Sequence, residues 1–511
     1  MTQQSLDSAV TLVSAPGKVL VAGGYLVLDQ AYSGLVVGTD ACLYAAVQTQ
    51  MLDFAGVDSL SESELPIFVA SPQFTSAWWR YSFNVESRAF RQLDSADGGS
   101  NSFVQVVLER TLGIASAYVP DKVQGMVHGS PAGQSGRRGL KIVLSADNDF
   151  YSQRETLTKL GVGLSSESLR NLPRMSETGT TLPNVHKTGL GSSAAMVTSL
   201  VAAILVHFGF VSHSDLLPEH DGGPSQVRNR KLIHGLAQYA HCLAQGKIGS
   251  GFDVSAAVYG THVYRRFSPN VLDTALEDSS TIEDVKQATS PDNQGWDNKV
   301  TPVTIPPRLV LRLADVDAGS NTPSMVKKVQ QWQKANPKEA KDLWDKLDSA
   351  NTRIRSIWDQ LNEAFTADST DYNTAVDWCA AHKSSEWKRS PKLLGSKTHE
   401  LLAELVEATL DMRALQRQLG DCAEVPIEPP KQTRLLDACM GVPGVCMAAV
   451  PGAGGYDAIF CVTLSPEASR AIEDVWSAWD EMSVGPLLAN QASGGVRILD
   501  IAAYPEIATH L

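Results

Sequence analysis

The 511 residues, 43% apolar and 19% charged, suffice for one large core or two moderate ones and exclude a compositionally disordered chain. A formal net charge of -13 excludes a broad nucleic-acid or anionic-membrane face, so any anionic ligand must be met by a local basic pocket. Seven scattered cysteines without a CxxC spacing give neither a disulfide framework nor a zinc knuckle, and the opening MTQQSLDSAV lacks the parts of a secretory signal, so the expectation is a cytoplasmic protein.

In chain order, the short-period apolar stretch 10–28 is interrupted at Pro16-Gly17 and at Gly23-Gly24, which predicts strand, tight turn, strand and turn. Further strands are predicted over 41–49, 67–70, 78–84 and 140–145, a helix over 102–112, and a mobile surface loop in the Gly-rich segment 125–139. Residues 193–211 carry no Asp, Glu, Lys or Arg and approach membrane-spanning length. They begin in a glycine loop, are interrupted by Ser, Thr and His, and have no partner span, so a core helix covered on all sides is expected instead. A second helix is predicted over 228–244, then a turn before a helical segment containing Asp253, then the strand HVYRRF. The acidic, polar stretch 268–304 reads as an inter-lobe linker or insertion. Beyond it come a strand over 309–314, long amphipathic helices from 325 to about 420, and strands around GVCMAAV and DAIFCVTL flanking the turn PGAGGY. Neither an internal repeat nor a coiled-coil heptad run is present in the sequence.

Four segments carry chemistry. In KTGLGSSAA, Lys187, Gly189, Leu190, Gly191, Ser192, Ser193 and Ala194 place two glycines at the start of a long helix, where free amides and the helix dipole suit phosphate. The same residues also read as a glycine turn with a serine cap. GLGSSA matches the dinucleotide pattern GxGxxA as well, but TTLPNVHKT before it is no apolar strand, and no acidic residue closes a following strand. It is not a Walker A loop, because no Lys-Ser or Lys-Thr pair follows the second glycine. SAPGKVL presents Lys18 after a Pro-Gly break, GSGFD places Ser250, Gly251 and Asp253 at a helix start, and PGAGGYD sets Gly452, Ala453 and Gly454 between two strands. Taken singly these also read as a solvated lysine, a helix cap and a plain hairpin. GSNTPSMVKKV adds a helix start with Thr322 as cap, Pro323 in the first turn, and Lys327 and Lys328 beyond.

The order PGK, GLGSSAA, GSGFD, PGAGG across nearly the whole chain resembles the GHMP family of small-molecule kinases. That resemblance implies an α+β, two-lobed fold. The N-terminal lobe, 1–267 with an insertion at about 51–185, would be ribosomal-protein-S5-like; 268–304 would link the lobes; and 305–511 would form an α/β, ferredoxin-like lobe with added helices. Within the family, APGKVLVAGGYLVLD, SPQF, WWRYSF, AHCLAQGKIGSGFDVSAAVYG, HVYRRF, GSNTPSMVKKV and PGAGGYDAIF are similar to the fungal-type phosphomevalonate kinase branch. The implied reaction moves the ATP γ-phosphoryl group to (R)-5-phosphomevalonate, giving the diphosphate and ADP on the route to isoprenoids and sterols. Implied catalytic residues are Lys18 and Asp253. Ser193 is implied as the Mg²⁺ ligand, with Ser192 and the loop amides on the nucleotide phosphates. Tyr25, Lys187, Ser250, Gly251, Ser320, Thr322, Gly452, Ala453 and Gly454 are the implied acceptor-side residues. One departure stands out: many relatives carry Gly-Glu before the His or Tyr of the first motif, whereas here Gly24 precedes Tyr25. The competing readings are another acceptor such as mevalonate, and a catalytically silent ATP and metabolite sensor, against which the presence of both Lys18 and Asp253 weighs. Expected partners are small molecules only, with no nucleic acid and no membrane span, and the oligomeric state is open between monomer and homodimer.

Overall fold

Pro16 and Gly17 do not turn the chain. Residues Thr11–Ala22 form one strand, β1, paired antiparallel with β2 (Gly34–Leu52), and the ladder slips register between Pro16 and Lys18 and again between Leu20 and Ala22. A proline has no N–H for the ladder, so the sheet absorbs it as a bulge and re-aims the residues that follow. A side chain at position 17 would lie 2.7 Å from Thr39 Oγ1, so the strand continues only with glycine there. The second predicted strand is therefore the continuation of the first, and the chain then enters a 3₁₀ turn at Gly24–Leu28.

A computed structural model describes residues 10–127, 136–217, 222–316, 322–389 and 395–511. After β2 come β3 (Glu64–Ala70), β4 (Trp78–Asn84), β5 (Phe90–Ser95), the helix α1 (Ser102–Tyr118) and β6 (Arg137–Ala146). Much of the segment expected as a surface loop, 128–135, lies outside the described residues. The helix α2 (Ser192–His207) follows, then α3 (Pro224–Gln245), α4 (Phe252–Tyr259) and β7 (His262–Arg265). Nearly every residue of α2 is buried, because β1 and β2 pack on one side and α1, α3 and α4 on the others. Its lack of any charged residue is that of a fully covered core helix. Among the described residues no helix is long and apolar enough to cross a membrane.

The stretch read as a linker folds onto the first lobe. It contains α5 (Ile282–Ala288), opened by a reciprocal Thr281 and Asp284 capping box and packed on α1, and β8 (Lys299–Pro302), which pairs with β7. The second lobe holds β9 (Val310–Val316), α6 (Thr322–Ala335), α7 (Pro337–Ala367), α8 (Ser369–Ala381), α9 (Lys397–Ala423), α10 (Pro430–Met440), β10 (Val445–Ala449), β11 (Ala458–Thr463), α11 (Pro466–Ser477) and β12 (Val484–Leu487). Its antiparallel sheet runs β10-β11-β9-β12, and α9 and α10 cover β10. The chain then returns to the first lobe: β13 (Gln491–Ala492) pairs with β2, and β14 (Arg497–Leu499) with β1. The larger sheet is ordered β14-β1-β2-β6-β3-β4-β5, so the second lobe's last residues edge the first lobe's sheet.

The two lobes also meet at Asp149, whose carboxylate accepts the backbone amides of Leu488 and Ala489, and at the ion pair Arg154–Asp315 (3.2 Å). Desolvation pushes the Asp149 pKa up to about 6, with the two amides pulling the other way. A carboxyl whose folded pKa lies above its unfolded value binds its proton more tightly in the native state, so its stabilisation is complete below the unfolded value and is lost as pH rises through about 6. Asp149→Asn keeps an acceptor for the amides and never ionises. Between pH 4 and pH 7 the wild type is expected to lose about 1–3 kcal/mol that the variant keeps, read as diverging urea midpoints. Parallel midpoints would remove Asp149 from the pH response.

Candidate active site

Gly189 and Gly191 adopt left-handed backbone with φ 82° and 80°, and Gly191 caps α2 without any side-chain hydrogen bond. The serine-cap reading therefore fails, because Ser192 is already the first helical residue. The first bond of the helix is Ala195 N–H to Gly191 C=O (3.1 Å). The amides of Ser192, Ser193 and Ala194 accordingly point out of the helix end with no partner among the described residues, beside the positive end of a dipole.

The bulge in β1 brings Lys18 to this loop. Its backbone N–H donates to Leu190 C=O (3.0 Å) and its ammonium to Gly189 C=O (2.6 Å), and the ammonium also lies 5.5 Å from the centroid of the Phe252 ring. A Cβ at position 191 would come within 3.0 Å of Lys18 Cε, so glycine there serves the lysine as well as the turn. Burial lowers the Lys18 pKa from its ordinary value, and the Asp253 carboxylate opposes that shift. Asp253 stands in the first turn of α4, with Oδ1 accepting the Val254 N–H (2.9 Å). It makes no ion pair within 4 Å of Lys18 among the described residues, so the two act on each other through space and leave a gap between them.

The GSGFD loop is held from behind. Tyr264 donates its phenol to Ser250 C=O (2.8 Å), and the Arg266 guanidinium spans Gly249 C=O (2.7 Å) and Leu28 C=O (2.6 Å). Gly251 sits at φ 81°, and a Cβ there would meet Phe267, Gln238 and the Tyr264 hydroxyl at 2.7, 2.8 and 2.9 Å. Left-handed strain and overpacking together put the expected cost of Gly251→Ala at about 2–4 kcal/mol. That is measurable as a lowered urea midpoint, and a variant as stable as wild type would show that the loop can shift freely.

The PGAGG segment is more than a hairpin, because it docks on the first lobe. Gly452 N–H donates to Leu20 C=O (3.1 Å), and the buried Tyr25 donates its phenol to Ala453 C=O (2.9 Å). Gly454, at φ 70°, would drive a Cβ to 2.2 Å from Ile427 C=O. Burial raises the Tyr25 pKa, which keeps its proton on the bridge between lobes.

Beside the loop 189–194 opens a cleft walled by Phe74, Trp79, Phe103 and Met196, with Lys187, Ser192 and Ser193 on its lining. Lys187 is exposed, and its backbone bridges to Tyr151, whose phenol faces Ser192. Sequence reasoning missed these wall residues and also His241, whose Nε2 lies 3.0 Å from Ser193 Oγ. The segment AHCLAQGKIGSGFD that contains His241 stood out in the sequence, yet nothing in it distinguishes this histidine from a core residue on an apolar face.

The structure brings together Lys18, Tyr25, the loop 189–194, Asp253 and the loop 451–455. It does not do so for every expected residue. Ser320 lies outside the described residues, as does the Thr322 side chain; α6 takes Thr322 as its first residue, where a cap was expected. Lys328 donates to Glu424 C=O (3.3 Å) at the end of α9, a capping contact at a carbonyl and so unlike an anion site. As for a metal, no cluster of three His, Cys, Asp or Glu side chains suited to one exists among the described residues. The oxygen donors present, the Ser193 hydroxyl and the Asp253 carboxylate, fit a hard cation that takes most of its ligands from phosphate and water.

Residues 392–481 match the model described as GHMP kinases C terminal. The chain is 37% identical to the peroxisomal phosphomevalonate kinase of Arabidopsis thaliana over 504 residues, covering 95% of each chain. It is also 37% identical to the phosphomevalonate kinase of Gibberella zeae, covering 98% of this chain and 99% of that one. The fold is shared with the Streptococcus pneumoniae phosphomevalonate kinase solved with phosphomevalonate and AMPPNP, at a TM-score of 0.53 and 13% identity, over 94% of this chain and 99% of that one. With full-length identity of this order joined to the glycine loop at the start of α2 and to Lys18 and Asp253 beside it, the chain belongs to the phosphomevalonate kinases, ATP-dependent enzymes of the GHMP kinase family.

Proposed function

We propose that this chain transfers the γ-phosphoryl group of ATP to the phosphate of (R)-5-phosphomevalonate, releasing ADP and the 5-diphosphate. The observation that carries this reading is the Lys18 ammonium seated on the Gly189 carbonyl, between the open N-terminus of α2 and the Asp253 carboxylate of α4. In that position a cation faces the place where two phosphate groups must approach each other.

The division of labour follows from charge. The amides of Ser192, Ser193 and Ala194 would hold the nucleotide's phosphates, and the aromatic cleft beside them would take the base. Bound Mg²⁺, with Ser193 as its protein ligand, would neutralise charge on the transferring group. The acceptor is a phosphomonoester whose second pKa is about 6, so at neutral pH its attacking oxygen needs little help losing a proton. Asp253 then orients Lys18 and the acceptor and is not needed as a strong base. Lys18 offsets the negative charge that builds between donor and acceptor. Ser250, Gly251, Lys187, Tyr25 and the loop Gly452, Ala453, Gly454 would line the acceptor side, and Ser320 and Thr322 belong to the same expected set. Cytoplasmic residence is part of the same proposal, supported by seven cysteines that all remain free.

The decisive assay is ADP release with phosphomevalonate, mevalonate and galactose in parallel. Turnover is expected with phosphomevalonate far above the other two. Faster turnover of mevalonate would reassign the acceptor, and silence with all three would point to a sensor.

A further inference from the structure

His241 stands on α3 with its imidazole 4% exposed, and its Nε2 lies 3.0 Å from Ser193 Oγ across the interface with α2. Gln245, one turn further along α3, reaches the two ring nitrogens at 3.0 and 2.8 Å, and the Phe103 ring from the wall of the base cleft lies 5.6 Å from the imidazole centroid. The imidazole is therefore wedged between the loop, the cleft wall and α3, with its ring nitrogens shared between the Ser193 hydroxyl and the Gln245 amide.

That hydroxyl has a choice of partner. A serine in a helix commonly bonds back to the carbonyl four residues earlier. Ser193 has no such carbonyl, because it is the second residue of α2 and Gly189 and Gly191 before it are left-handed. A hydroxyl that ligates a hard cation does so through its oxygen lone pairs, and its proton must point elsewhere. Pointed at the ligand it would occupy the cation's place, and the partner at hand behind the loop is the His241 imidazole.

We propose that His241 is a positioning residue: by accepting the Ser193 hydroxyl hydrogen bond from behind the loop, it turns the Ser193 oxygen lone pairs toward Mg²⁺ shared with the nucleotide. This rests on reading the loop as the metal–nucleotide site. A histidine that merely fills the core would give stability without any preference for metal-bound nucleotide, which separates the two roles.

The test is calorimetric titration of the full chain with ADP, once in EDTA and once in excess Mg²⁺. The wild type is expected to bind ADP more tightly with the metal. His241→Phe keeps the ring volume but offers no acceptor, and His241→Asn stops short of Ser193; each is expected to lose about tenfold of the metal-dependent gain while the EDTA affinity stays within about twofold. His241→Gln, whose amide oxygen can reach, should recover most of the gain. The double variant His241→Phe with Ser193→Ala should be no weaker than Ser193→Ala alone. A full metal gain in both His241→Phe and His241→Asn overturns the proposal, as does an equal loss with and without metal, or independent addition in the double variant. A wild type whose ADP affinity ignores Mg²⁺, or a Ser193→Ala variant that keeps the full metal gain, overturns the metal reading of the loop itself. Should the Phe variant fail to fold, the Asn and Gln pair decides alone.

Discussion

Lys18→Met is expected to lower kcat by about 10³-fold or more while ADP binding in EDTA and the unfolding midpoint stay close to wild type. The magnitude follows from position. Removing one donor that meets developing charge typically costs 10²–10³ in rate, and a full cation between phosphates is worth about 10³–10⁵. Lys18 is such a cation: its stem packs on Gly191, its ammonium is fixed to Gly189 C=O, and Phe252 covers one side. Methionine matches the stem and deletes the charge, so the fold loses little. Lys18→Arg restores the charge but not the shape, because a planar, forked guanidinium does not reproduce the compact ammonium seated on Gly189 C=O. It should therefore remain at least 10-fold impaired. The measurement is ADP release at saturating ATP and phosphomevalonate. If Lys18→Met turned over within a few-fold of wild type, the ammonium would have no part in the transfer.

How far the sequence foretold this arrangement depends on whether the information is local. The phosphate loop was legible because glycines before a long apolar run have a local meaning, and the structure returns them as left-handed residues at a helix start. Asp253 and Gly251 were legible for the same reason. Lys18 was found, but its setting was not. A Pro-Gly pair signals a turn locally, and only a long partner strand, β2, converts it into a bulge that carries the lysine to the loop. The wall of the aromatic cleft was invisible as such, since Phe74, Trp79, Phe103 and Met196 come from separate elements and each reads as ordinary core. His241 was invisible likewise, as its meaning comes from Ser193 across a helix interface. The short strands β13 and β14 gave no periodic signal at all, and they exist because β1 and β2 offer them free edges. The polar stretch after 268 misled in the opposite sense: its exposed charges hid a few apolar residues, Leu272, Val285 and Ala288, that bury against the first lobe.

Asp253→Asn is expected to reduce kcat by about 10²–10³-fold at neutral pH, and its pH profile should say why. Asparagine preserves the side-chain oxygen that accepts the Val254 N–H, so the change removes charge and little else. If the acceptor phosphate supplies its own nucleophilic oxygen, the wild-type rate should rise with pH through about 6, as the phosphate becomes dianionic, and that acidic limb should persist in the variant. The alkaline limb should move. Burial lowers the Lys18 pKa and the Asp253 carboxylate holds it up. Without that carboxylate the ammonium loses its proton at a lower pH, and activity should fall away earlier on the alkaline side than in wild type. A general base at Asp253 predicts a different acidic limb, which would disappear with the carboxylate, while the alkaline limb would move under either role because the charge beside Lys18 is lost in both. The two profiles, measured as kcat at saturating substrates, therefore separate a residue that orients and charges Lys18 from one that removes a proton.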